Sequence, residues 1–154
     1  MKLILKKSLG QNFLVDKNII ELITNLGNIN NEVPVLEVGP GNGSLTNNIL
    51  EKKPKDFTVI EKDKRLVNIL TKKFDNNINI INEDMMNVEY NDFLKKNLII
   101  FGNLPYNIST QILAKWVKMD KVNKLCDKLI LMFQKEVADR IIAVPNTKNY
   151  GRLS

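Results

Sequence analysis

Short apolar runs that stop abruptly at a glycine, an acid or an amide alternate along this chain with stretches of helical periodicity. The runs are VPVLEVG, FTVIE, INII, NLIIFG and KLILMF. Between them lie SLTNNILEKK, KRLVNILTKKF, STQILAKWVKM and KEVADRIIA. A first helix opens at Asp16, with Ile19, Ile20, Ile23 and Leu26 at amphipathic spacing and Gly27 as its stop. In KRLVNILTKKF the apolar face is Leu66, Ile69, Leu70 and Phe74. Strands alternating with helices of this length predict an α/β domain, a parallel sheet covered by helices on both faces. Right-handed crossovers then bring every strand's C-terminal end to one edge, where such sheets bind their ligands. At 154 residues, 44% of them hydrophobic and 26% charged, the chain suits one globular domain with a sizeable core.

Four polar motifs fall at that edge. After the first strand stands Glu37-Val-Gly-Pro-Gly-Asn-Gly43, in which Gly39 and Gly41 let the backbone approach a ligand and aim helix N–H groups at it. An ordinary tight connection would use the same glycines. The G-x-G-x-G spacing differs from the dinucleotide G-x-G-x-x-G, and the acid at Glu37 opposes a pyrophosphate while suiting a cofactor with a cationic amino-acid portion. Glu61 closes the second strand about twenty residues on, where an acid accepts hydrogen bonds from ribose hydroxyls. Its neighbours Lys62, Asp63, Lys64 and Arg65 read as solvated charges at a helix start. Asn82-Glu-Asp84 follows the third strand, and Asp84 suits either an adenine's exocyclic amine or the cap of a turn. The fourth motif is Asn103-Leu-Pro-Tyr106. The Asn103 side chain and the Leu104 carbonyl can both accept from one NH₂ group. Pro105 restricts Leu104 to extended geometry, and Tyr106 offers a flat face for a base.

The bulk composition removes several chemistries. The chain has no histidine, which argues against hydrolytic triads and zinc centres, and no metal is expected. Cys126 is the single cysteine, so no internal disulfide forms, as suits a reducing cytoplasm. No run is long enough to span a membrane, and MKLILKK is too short for a signal peptide. The net charge of +6 invites a nucleic-acid partner, although charge runs are usually solvated faces. Its distribution is uneven: residues 74–114 carry Lys95 and Lys96 against Asp75, Glu83, Asp84, Glu89 and Asp92. The basic excess lies in LILKKS, around EKKPK and after Lys115.

The motifs LGQNFL, EVGPGNGSLT, VIEKD, FGNLPYNIST, QKEVADRI and NYGRLS stand in an order that resembles the rRNA adenine N6-dimethyltransferase family, of the bacterial small-subunit type. The resemblance runs essentially end to end, and FGNLPYNIST with LGQNFL carries most of its specificity. It implies a Rossmann-like S-adenosylmethionine-dependent methyltransferase sheet. It also implies dimethylation of two neighbouring adenines in a hairpin loop near the 3′ end of small-subunit (16S) rRNA. The implied cofactor residues are Asn12, Leu14, Gly39, Gly41, Glu61, Asp84 and Asn103, and the implied catalytic residues Asn103, Leu104, Pro105 and Tyr106. The implied partner is small-subunit rRNA or the assembling small subunit, met by a cytoplasmic monomer with no membrane.

The family pattern continues past YGRLS with the last sheet strands, a Phe-x-Pro-x-Pro segment and a small helical domain. Residues 1–154 therefore read as one S-adenosylmethionine-binding domain, incomplete at its C-terminus, with an uncovered sheet edge after the fifth strand. The rival readings are the family that methylates an adenine of large-subunit rRNA, a truncated RNA-binding module without turnover, and, a poor third, a dinucleotide-dependent oxidoreductase.

Overall fold

A computed structural model describes residues 13–89, 97–104, 108–118 and 126–154. Asn12, Pro105 and Tyr106 lie outside the described residues. Pro34–Val38 (β1), Asp56–Ile60 (β2), Asn79–Ile81 (β3), Ile99–Asn103 (β4) and Lys128–Met132 (β5) form one sheet in the order β3-β2-β1-β4-β5. All four pairings are parallel, with Val35 opposite both Phe57 and Ile99. The winding reverses between β1 and β4, which are the two strands flanking the topological switch point.

The helices are Lys17–Leu26 (α1), Ser44–Glu51 (α2), Lys64–Phe74 (α3), Ser109–Val117 (α4) and Lys135–Ile141 (α5). A period of two along the strands divides the core into two layers. Val35, Phe57, Val59, Ile99 and Phe101 pack with Ile20, Ile49, Leu70 and Phe74 of α1, α2 and α3. Leu36, Val38, Ile60 and Ile100 point the other way, onto Ile112 and Trp116 of α4. Every residue of β1 is buried, as expected for the central strand of a sheet covered on both faces. β5 is an edge strand of the described sheet, and its side chains are only half-buried after its exposed first residue.

One face assignment differs from the periodicity. α1 buries Ile20, Ile23 and Thr24, whereas Ile19 and Leu26 are 45% and 55% exposed. The Asp16 carboxylate caps the helix by accepting from the Asn18 and Ile19 N–H groups, and that entry turns the i, i+3, i+4 set of Ile20 inward. Thr24 is tolerated in the core because its hydroxyl donates to the Ile20 carbonyl at 2.8 Å. In α3 the expected face is buried at Leu66, Leu70 and Phe74, with Ile69 half-buried. No helix among the described residues is long and apolar enough to cross a membrane.

Candidate functional site

The C-terminal ends of β1, β2, β3 and β4 bring four short segments together. The first is the glycine loop. Gly39 continues the sheet by donating to the Ile60 carbonyl at 3.0 Å, then turns with φ +74°. A β-carbon on Gly39 would stand 2.8 Å from the carbonyl oxygen of Asn103, so glycine is what lets the loop lie against the end of β4. Gly43, at φ +76°, serves a different purpose: a β-carbon there would meet the Phe74 ring at 2.6 Å. It permits close packing of α3 against the start of α2. The Asn42 side-chain oxygen accepts from the Ser44 N–H and hydroxyl, which starts α2. Lys73 donates from α3 to the Gly43 carbonyl at 3.2 Å.

Glu37 lies beneath this loop and is wholly buried. The Thr46 hydroxyl donates to its Oε2 at 2.7 Å, and Oε1 has no partner among the described residues. Burial pushes the carboxyl up to about 8; the Thr46 hydrogen bond opposes the shift and the nearby Glu61 adds to it. A carboxyl raised this far favours its protonated form at neutral pH while no positively charged group stands beside it.

Glu61 accepts from the Asp63 N–H at 2.8 Å and from the Gly41 N–H at 3.3 Å, joining the glycine loop to the end of β2. Burial raises its carboxyl above the ordinary value, and these two amides pull it back. Asp63, expected to be solvated, is instead 6% exposed. It caps α3 through the Arg65 N–H and takes the Arg65 guanidinium at 2.6 Å, so its charge is matched where it is buried.

After β3, Asp84 realises the turn-cap reading. Its Oδ1 accepts from the Met86 N–H at 2.9 Å and its Oδ2 from the Lys62 ammonium at 2.6 Å. The ammonium, and then that N–H, hold its carboxyl below the usual carboxylate range. The amide of Asn82 donates to the carbonyls of Glu61 at 2.8 Å and Lys62 at 3.2 Å. At the end of β4, Asn103 is half-buried, and the side chain of Leu104 is buried in the second core layer. What Leu104 can offer a ligand is therefore its main chain.

Ahead of α1, Leu14 packs its side chain onto the first core layer, and the Phe13 ring lies 3.0 Å from where a Gly41 β-carbon would be. Gly39, Gly41, Glu61, Asp84 and Asn103 thus share one edge, with Leu14 entering beside it. Thr46, Asn82 and Phe13 are supporting residues that stand inside the sequence motifs without a role assigned to them there. Thr46 and Asn82 act on partners from other elements, so no local spacing reveals them.

The chain matches the family described as ribosomal RNA adenine dimethylase over residues 3–154. It is 54% identical over 149 residues to the ribosomal RNA small subunit methyltransferase A of Pelagibacter ubique, covering 97% of this chain and 56% of that protein. Its fold is similar to that of a dimethyladenosine transferase from Plasmodium falciparum, with TM-score 0.79 and 29% identity over 92% of this chain and 50% of that one. A 23S rRNA methyltransferase, ErmE, gives TM-score 0.71 and 28% identity, over 93% of this chain and 54% of that one. The chain spans about half the length of the curated relatives it matches. With the family matched along nearly all of its residues, the chain belongs to the ribosomal RNA adenine dimethylases.

Proposed function

We propose that this chain is the cofactor-holding part of an enzyme that transfers methyl groups from S-adenosylmethionine to the N6 amines of two adjacent adenines in small-subunit rRNA. The target in this reading is a hairpin loop near the rRNA 3′ end, on free rRNA or an assembling subunit, and the protein acts as a cytoplasmic monomer. The observation that carries it is the buried, half-partnered Glu37 carboxyl behind a glycine loop that lies against Asn103. An oxygen left without a partner in a wholly buried site suits a ligand that brings a positively charged group, whose arrival would draw the proton off the carboxyl. The name of the Pelagibacter ubique relative supports the small-subunit substrate.

In this reading Glu61 accepts from the ribose hydroxyls and Asp84 from the adenine amine of the cofactor, while Asn12, Leu14, Gly39, Gly41 and Asn103 make its remaining contacts. Bound S-adenosylmethionine supplies an electrophilic methyl group. The residues of the fourth motif supply the rest. An adenine amine is a poor nucleophile because its lone pair is delocalised into the ring. Accepting hydrogen bonds at the Asn103 side chain and the Leu104 carbonyl favours a pyramidal nitrogen and stabilises the positive charge that develops on it. Tyr106 stacks on the target base, which leaves its loop at little cost. The remaining work is alignment of nitrogen and methyl carbon. The proton can leave to water, so a chain without histidine suffices.

Calorimetric titration of S-adenosylmethionine into the chain, with NAD as control, tests the cofactor reading. Saturable binding of the methyl donor alone supports it; binding of NAD alone, or of neither ligand by a folded chain, overturns it. A substrate swap between small- and large-subunit rRNA tests the target. Asn103→Ala is expected to abolish transfer while donor binding stays measurable, and turnover like the wild type would refute that role.

A further inference from the structure

Two side-chain contacts cross between the segments that follow β2 and β3, and neither has a part in the chemistry above. Asn82, from the β3 side, places one amide nitrogen on the successive carbonyls of Glu61 and Lys62. Lys62, from the β2 side, places its ammonium 2.6 Å from Asp84 Oδ2 while the Met86 N–H occupies Oδ1. Each of the two proposed nucleoside acceptors is thus held from the other's segment. The β2–β3 ladder covers only three residue pairs, and β3 is an edge strand. One further main-chain bond, from the Glu61 N–H to the Ile81 carbonyl at 3.0 Å, closes the ladder, and beyond it the Asn82 and Lys62 side chains reach across.

We infer that Lys62 and Asn82 are positioning residues, a reciprocal brace that sets Glu61 and Asp84 at the spacing of an adenosine and selects a base carrying an exocyclic amine. This rests on the reading of Glu61 and Asp84 as the cofactor's acceptors. The exposure of the pair separates the brace from a stability device. The Lys62 side chain is 56% exposed and that of Asp84 22%, and an ion pair so open to water contributes little to folding. Its loss registers in how Asp84 is aimed.

The test is titration of the 154-residue chain with S-adenosylhomocysteine and with S-inosylhomocysteine, whose base carries a carbonyl oxygen in place of the amine. Wild-type protein is expected to prefer the adenosyl ligand. Lys62→Met should weaken that ligand about tenfold, the order of one charge-assisted hydrogen bond, while leaving the inosyl ligand and the melting temperature unchanged. Lys62→Arg should restore the preference, and Lys62→Met should add nothing in an Asp84→Asn background. Asn82→Ala should weaken both ligands, because it acts through Glu61 on the ribose they share. A Lys62→Met protein with the wild-type preference overturns the brace. So does one that loses both ligands together with a lowered melting temperature. Wild-type protein that binds neither ligand overturns the cofactor reading itself, and the brace with it.

Discussion

The carbonyl oxygen of Asn103 lies where only a glycine can face it: a β-carbon on Gly39 would come within 2.8 Å. The ends of β1 and β4 are fitted to each other through that single missing atom. Gly39→Ala must either shift the Asn103 peptide or unwind the loop, and it also carries the strain of an L-residue at φ +74°. A loss of roughly 2–4 kcal/mol is expected, from the left-handed backbone and the overpacking together. Urea denaturation measures it, and calorimetry with S-adenosylmethionine should show binding lost in the same variant.

Glu37 makes stability depend on pH in the direction opposite to that of most carboxylates. Its folded value of about 8 lies above the ordinary 4.5, so between those values the folded chain holds a proton that the unfolded chain has released. The contribution is fully present below the unfolded value and is lost as pH rises towards the folded one. The slope is about 1 kcal/mol per pH unit. Denaturation midpoints at pH 5, 6.5 and 8 should fall in that order. Glu37→Gln should flatten the series, and an unchanged slope in that variant would assign the effect elsewhere.

Thr46 is the donor that makes the buried carboxyl tolerable. Thr46→Val keeps the shape of the side chain and removes the hydroxyl, leaving a second Glu37 oxygen without a partner. The expected cost is about 1–3 kcal/mol, the usual penalty for an unsatisfied buried polar group. Because the hydrogen bond lowers the Glu37 value, its removal should also extend the falling limb of the stability profile to higher pH.

Asp63 joins a helix cap to an ion pair on one buried side chain. Asp63→Ala should destabilise the chain by about 1 kcal/mol or somewhat more, through the cap and the released Arg65 together. Asp63→Asn keeps a capping oxygen and should lose less. Thermal unfolding of the two variants side by side separates the cap from the pair.

The parts of the fold that were legible in the sequence are those governed by local pattern. The segment KRLVNILTKKF forms α3 from Lys64 to Phe74, because its apolar spacing and the acid before it both act within a few residues. The five strands are legible because each is an apolar run cut short by a polar residue. What was not legible depends on contacts between elements. Whether Glu37 and Asp63 are solvated or buried is decided by Thr46 on α2 and by the packing of α3. Asn82 reads as part of an acidic turn until its partners in the segment after β2 are seen. The inward face of α1 was misjudged because several isoleucines and leucines offer more apolar positions than the sheet can cover.

The central place of β1 also bears on how the chain is made. Synthesis runs from the N-terminus, so β2 and β3 leave the ribosome soon after β1 and can pair on one side of it. The other side must wait until Ile99 and its neighbours emerge to meet Val35. During that interval one edge of a strand whose every residue ends up buried stands open, and a nascent chain in that condition is the one a chaperone would be expected to hold.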